Sequence, residues 1–131
     1  MSMLKINGLH HIAIICSNYE TSKRFYTEVL GFKVEHEVYR KERSSYKTDL
    51  SINGEYLIEL FSFPEPPQRL TRPEATGLRH IAFEVENLDE TVQVLNQKSV
   101  FVEPIRVDEF TNKRFTFIFD PDNLPIEFYE K

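Results

Sequence analysis

Gly77-Leu78-Arg79-His80-Ile81-Ala82-Phe83-Glu84-Val85 is a short apolar run with a single histidine in it. The chain has already written it once, as Gly8-Leu9-His10-His11-Ile12-Ala13-Ile14-Ile15-Cys16. Aligning Leu9 with Leu78 places His11 on His80 and Ala13 on Ala82, an offset of 69 residues (80 − 11). Asn18 to Asn87 and Phe32 to Phe101 keep that offset, and Glu59 to Glu127 falls one short, at 68. An offset held across so many landmarks marks an internal duplication, and a hairpin shorter by one residue in the second copy accounts for the slip.

The elements follow from the first copy. Leu9–Cys16 is apolar and β-branched, as a strand requires. Ser17-Asn18-Tyr19-Glu20 supplies a capping residue and an acidic first turn. Thr21 to Leu30 carries Phe25, Tyr26, Val29 and Leu30 at helical spacing, and Gly31 ends it. Phe32–Tyr39 and Tyr46–Ile52 alternate with period two, and Asn53-Gly54 is a hairpin signal that returns the chain as Glu55–Phe61. The unit is β-α-β-β-β.

The second copy replays it. Leu78–Val85 is a strand, Asn87 with Glu90 resembles a capping box, and Leu88 to Asn96 has one helical face. Phe101–Val107, Arg114–Phe119 and Leu124–Tyr129 are strands, the last entered through the turn Asp120-Pro121-Asp122-Asn123. The expectation is one α+β domain over residues 1–131: module one at 8–63, a proline-rich linker at 64–76, module two at 77–131.

Composition narrows the class. With 40% hydrophobic residues and 11 Phe, the chain has material for a core. A net charge of −5 without a basic run argues against a nucleic-acid partner. The lone Cys16 cannot form an internal disulfide, so a reducing cytoplasm is the expected home. No signal-peptide pattern opens the chain and no apolar run is long enough for a membrane helix, so no membrane partner is expected.

Strand alternation locates the chemistry. His11, Ala13 and Ile15 share a face, as do Leu57, Glu59 and Phe61, His80, Ala82 and Glu84, and Glu127 and Tyr129. The opposite faces are continuously apolar and fit beneath a helix. A lone strand histidine or glutamate is ordinarily a solvated or satisfied polar residue. Four of them at repeat-equivalent positions, on the faces away from the helices, suit one divalent metal ion instead: Zn, Ni, Co, Fe or Mn. Such a metal polarises a carbonyl or stabilises an enediolate, and a glutamate that loosens moves a proton. Tyr46, Asp49 and Arg114 are candidates to line the open face and touch substrate. His10 reads as helix-side packing or as support behind a ligand, His36 as a polar strand residue, Cys16 as a small buried residue, and Phe25-Tyr26 as core. Arg40-Lys41-Glu42-Arg43 reads as a solvated strand end. There is no glycine-rich phosphate loop and no nucleophile elbow.

Leu9-His10-His11-Ile12-Ala13-Ile14 together with Phe25-Tyr26-Thr27-Glu28-Val29-Leu30-Gly31-Phe32 resembles the opening module of the vicinal oxygen chelate superfamily. Asp120-Pro121-Asp122-Asn123-Leu124-Pro125-Ile126-Glu127-Phe128 resembles its closing strand. That group spans glyoxalase I, bleomycin-binding proteins and extradiol dioxygenases. The resemblance implies paired βαβββ modules forming a cupped mixed sheet with the helices on the outer face. It implies that His11, Glu59, His80 and Glu127 hold the metal, as in glyoxalase I-like members. The activity implied is that of a lyase or isomerase acting on a small vicinal-oxygen substrate, such as a 2-oxoaldehyde adduct. Either Glu59 or Glu127 is then the proton-transferring base, with Glu127 preferred. A homodimer is the expected assembly, and the modules pair either within a chain or across it. Two other readings stand beside this one: a ligand-sequestering protein of the bleomycin-resistance type, and an iron-dependent dioxygenase.

Overall fold

The computed structural model describes residues 2–131. The chain divides into two compact units, Met1–Pro66 and Pro67–Lys131. The boundary falls inside the proline-rich linker, and residues 69–76 belong to the second unit.

In the first unit, β1 (Ile12–Cys16) leads into α1 (Tyr19–Arg24), which continues as a π turn over Phe25–Val29. β2 (Lys33–Arg40), β3 (Ser45–Ile52) and β4 (Glu55–Ser62) follow. The sheet order is β1-β4-β3-β2, with β1 parallel to β4 and the other pairs antiparallel. The second unit runs β5 (Ile81–Val85), α2 (Leu88–Gln97), β6 (Arg106–Val107), β7 (Arg114–Phe119) and β8 (Pro125–Glu130), in the order β5-β8-β7-β6. The eight strands are thus divided between two four-stranded mixed sheets, one per unit.

Local signals behave as their chemistry dictates. The Asn18 side chain accepts from the Thr21 amide and Asn87 from the Glu90 amide, so both helices begin on an asparagine cap. Asn53 and Gly54 take φ of 53° and 79°, the paired left-handed residues of a type I′ hairpin turn. Asn123 takes the left-handed conformation at φ 66° in the last turn, held there by the Asp120 carboxylate accepting from the Asp122 and Leu124 amides.

In each sheet one face is buried. Ile14, Cys16, Leu50, Ile58 and Leu60 pack with Tyr26 in the first unit. Ile81, Ile118, Ile126 and Phe128 pack with Leu88 and Leu95 in the second. Truncating any of the large side chains among these to alanine costs about 2–5 kcal/mol. Because stability rests on the helix side, the other face is free to carry polar groups.

Three expected strands are shorter than their pattern. β1 and β5 start at Ile12 and Ile81 rather than Leu9 and Leu78. The Leu78 and Arg79 carbonyls are taken by the Arg69 guanidinium at 2.8 and 3.0 Å rather than by a neighbouring strand. Phe101–Val107 yields only Arg106–Val107. Pro104 has no N–H to offer, and the Glu103 amide alone reaches across to the Phe117 carbonyl.

Candidate functional site

His11 stands one residue before β1, and Glu59 is on β4, where it pairs with Ala13. The His11 Nε2 lies 3.6 Å from a Glu59 carboxylate oxygen. His80 stands one residue before β5, and Glu127 on β8 pairs with Ala82. His80 Nε2 lies 3.2 Å from Glu127. Each unit therefore places one imidazole beside one carboxylate on the face opposite its helix. The Glu59 and Glu127 side chains are only 14% and 13% exposed, so these carboxylates are largely withdrawn from water and need partners.

The surroundings of the two pairs differ. In the first unit, Glu59 also meets the Lys47 ammonium at 3.2 Å and the Tyr56 hydroxyl at 3.3 Å. Asp49 is the register partner of Glu59 and takes the other side of Lys47, at 3.1 Å. The Asp49 carboxylate, with Glu59 behind it, pushes the Lys47 pKa up and keeps the cation in place. Burial, reinforced by the same two carboxylates, pushes the Tyr56 phenol well above its ordinary value, so it remains a donor. The Tyr56 ring also stacks on His11 at 5.3 Å. In the second unit the register partner of Glu127 is Phe117, whose ring meets His80 edge-on at 5.2 Å. One His–Glu pair is thus set among charges and the other against aromatic rings.

The outer ring nitrogens are engaged as well. The Nδ1 atoms of His10 and His11 are 2.8 Å apart, so one donates and the other accepts. Arg79 Nη1 is 3.1 Å from His80 Nδ1. A guanidinium only donates, so His80 accepts at Nδ1 and carries its proton at Nε2, facing Glu127.

Of the expected substrate residues, Asp49 is on the same face as Glu59. Tyr46 and Arg114 lie on the helix side instead. Tyr46 stacks on Tyr19 of α1 at 4.2 Å, on the helix side. Arg114 reaches Asp89 in the first turn of α2 at 3.0 Å and Glu130 at 2.8 Å. Residues three apart on a strand face opposite ways, so Tyr46 and Asp49 never shared a face. Arg114 stands 68 residues after Tyr46, at its repeat-equivalent position, and goes with it. His10 is exposed and packs edge-on to His11 and Tyr56 rather than under a helix, because the chain there has not yet entered β1. Arg40 is half-buried, not a solvated end: it lies over the Phe61 ring at 4.9 Å and donates to the Ser45 hydroxyl. His36 is exposed, Cys16 is buried with its thiol directed at the Phe61 carbonyl, and Tyr26 is core. Lys47 escaped the sequence reading although it stands two residues from Asp49, in phase with it. Tyr56 had no such signal, since a bulge between Leu50 and Ser51 breaks the register beside it.

The model of the glyoxalase/bleomycin resistance protein/dioxygenase superfamily matches residues 8–128. The chain belongs to this superfamily. It is 64% identical over 126 residues to the uncharacterized protein YwkD of Bacillus subtilis (strain 168), covering 96% of this chain and 98% of that one. It is 47% identical to a glyoxalase family protein from Enterococcus faecalis of known crystal structure, with a TM-score of 0.88 over 95% of this chain and 98% of that one. A point mutant of the fosfomycin resistance protein FosX from Listeria monocytogenes, complexed with Mn(II) and 1S,2S-dihydroxypropylphosphonic acid, shares the fold. Its TM-score is 0.74 at 22% identity, over 97% of this chain and 94% of that one. The superfamily's description names glyoxalases and dioxygenases, and the FosX mutant holds Mn(II) on the same fold. Among the described residues, no helix is long and apolar enough to cross a membrane.

Proposed function

We propose that this superfamily member is a metal-dependent lyase or isomerase of the glyoxalase type, acting on a small vicinal-oxygen substrate. The observation that supports the reading is the pair of His–Glu couples at repeat-equivalent positions, each on the helix-free face of its own sheet. The donor set fits a divalent ion of intermediate softness: imidazole nitrogen and largely buried carboxylate oxygen from each unit. His11, Glu59, His80 and Glu127 would hold it. When bound, such an ion supplies Lewis acidity to two adjacent substrate oxygens.

The remaining work falls to the chain's own side chains. Glu127 is the proton carrier in this reading, through the carboxylate that lies 3.2 Å from His80 Nε2. Glu59 has lone pairs engaged by Lys47 and Tyr56, which suits a holding role. Holding a metal through His80 Nε2 would require the neutral ring to carry its one proton at Nδ1 instead, and Arg79 would then have to turn away from that atom. The enzyme is proposed to work in the cytoplasm, where its single cysteine stays reduced, and to assemble as a homodimer.

Metal analysis of the purified protein and of His80→Ala tests the ligand set. The native protein is expected to retain about one divalent ion per chain, as a single four-ligand site requires, and the variant to lose most of it. Equal metal in both removes His80 from the site. Turnover of methylglyoxal with and without glutathione then tests the substrate class. A ligand affinity that survives chelation, without turnover, replaces the enzyme by a sequestering protein.

A further inference from the structure

The second unit contains a cleft of about 530 Å³ on the same face as His80 and Glu127. Its floor is Phe117, Phe119 and Pro125, and four arginines stand around it: Arg69, Arg72, Arg79 and Arg106. One wall is the linker. Arg69 ties that segment down by donating to the Thr71 hydroxyl and to the Leu78 and Arg79 carbonyls. The Thr71 hydroxyl in turn donates to the Asn123 carbonyl. The wall is therefore fastened to its own unit at several points.

Four guanidiniums face two carboxylates. Arg79 pairs with Glu74 at 2.6 Å, and Arg106 with Glu103 at 3.1 Å. Arg72 reaches Glu103 only at 3.8 Å, sharing a carboxylate already taken. Arg69 is satisfied by carbonyl and hydroxyl oxygens, which leave its charge uncompensated. A cleft that exists only to close the fold would balance its charges. This one keeps an excess of two positive charges over an aromatic floor, in a chain whose net charge is −5. Such a concavity concentrates anions, and guanidinium forks match the planar or tetrahedral oxygens of carboxylate and phosphate. The volume is that of a small-molecule site. It adjoins the His80–Glu127 pair directly: Phe117 touches the His80 ring, and Arg79 holds its Nδ1.

The geometry points to an oxyanion subsite in this cleft, so that the substrate is a small molecule with a carboxylate or phosphate-type group at one end, held by Arg72, Arg79 and Arg106. The placement of its other end at the His–Glu pairs rests on the proposed function; the subsite itself does not.

The test uses full-length protein stripped of metal by chelator, at fixed ionic strength, so the state of the metal site does not enter. Backbone and guanidinium NMR signals are followed on titration with inorganic phosphate, with acetate, and with neutral acetamide. Saturable shifts confined to residues 69–79 and 103–106 are expected with phosphate or acetate and not with acetamide. The tighter of the two anions identifies the group the substrate carries. Arg72→Gln/Arg106→Gln, which leaves Arg79 and its histidine in place, is expected to weaken binding roughly tenfold or more, the loss of one or two charge-assisted hydrogen bonds. Arg24→Gln, on α1, is expected to change nothing. If the double variant does not fold, Arg72→Gln alone, whose guanidinium is largely exposed, is expected to weaken binding in the same direction. Absence of saturable shifts with either anion, or unchanged affinity in the arginine variants, overturns the subsite. Loss of metal from His80→Ala alongside either result leaves the metal reading intact.

Discussion

Lys47 separates two carboxylates that the sheet register forces together. Asp49 and Glu59 face each other across β3 and β4, and without a cation between them their charges repel. The Lys47 ammonium sits 3.1 Å from one and 3.2 Å from the other, with 29% of its side chain exposed. It does for Glu59, in the metal-free protein, what a bound cation would do. Lys47→Met is therefore expected to cost about 1–2 kcal/mol in chelator-treated protein, a charge-assisted pair discounted for its partial exposure. In metal-loaded protein the loss is expected to be smaller, because the metal takes over one of the two carboxylates. Urea unfolding of both proteins in both states measures the difference, and an equal loss with and without metal argues that Glu59 is not a ligand. The second unit needs no such lysine. Phe115 and Phe117 pair with Tyr129 and Glu127 where Lys47 and Asp49 pair with Phe61 and Glu59.

At the scale of elements, α1 is pinned to its sheet by polar contacts on the buried side. The Tyr19 hydroxyl bonds both Glu37 of β2 and Thr48 of β3, and Lys23 closes on Glu37 at 2.7 Å. Lys23, and behind it Tyr19, hold the Glu37 carboxyl below its ordinary range. A carboxyl with a lower pKa folded than unfolded contributes stability above the unfolded value, about 4.3. That contribution is lost as the pH falls through the folded value. Glu37→Gln cannot titrate, so its melting-temperature deficit against wild type is expected to be steady from pH 7 to 5 and to shrink toward pH 3. A deficit unchanged at pH 3 means that Glu37 acts by packing instead. The cap residues and the type I′ turn were legible in the sequence, because each rests on a rule that acts within a few residues, whereas the helix-side placement of Tyr46 was not. The length of Phe101–Val107 was not, because repeat symmetry suggested a full strand where Pro104 removes the donor. The π turn at Phe25–Val29 left no mark in an apolar spacing that reads the same for an α-helix.

At the scale of the whole molecule, duplication turns one weak signal into two correlated ones. A histidine before an edge strand and a glutamate on the strand parallel to it mean little once; the 69-residue offset writes them twice, and each copy closes to within 3.6 Å. The two His–Glu couples were therefore readable from the sequence. The arginine cleft was not, because one of its walls is made of linker residues, Arg69 to Ala75, that have no counterpart in the repeat. If one metal takes a His–Glu couple from each unit, His11→Ala and His80→Ala must each abolish it, and the two inactive proteins become informative when mixed. Suppose the couples come from different copies in a homodimer. A heterodimer of the two variants then brings both substitutions to one site and leaves the other with His11 and His80 both present. Random exchange makes half the dimers mixed, so metal content is expected to return to roughly a quarter of the wild-type level. If both couples come from the same chain, every chain in the mixture lacks a ligand and nothing returns. Co-refolding the variants and measuring bound metal, with each variant refolded alone as control, decides between the two. We expect recovery, in line with the homodimer proposed above; a mixture that stays as empty as its parents places the site within one chain.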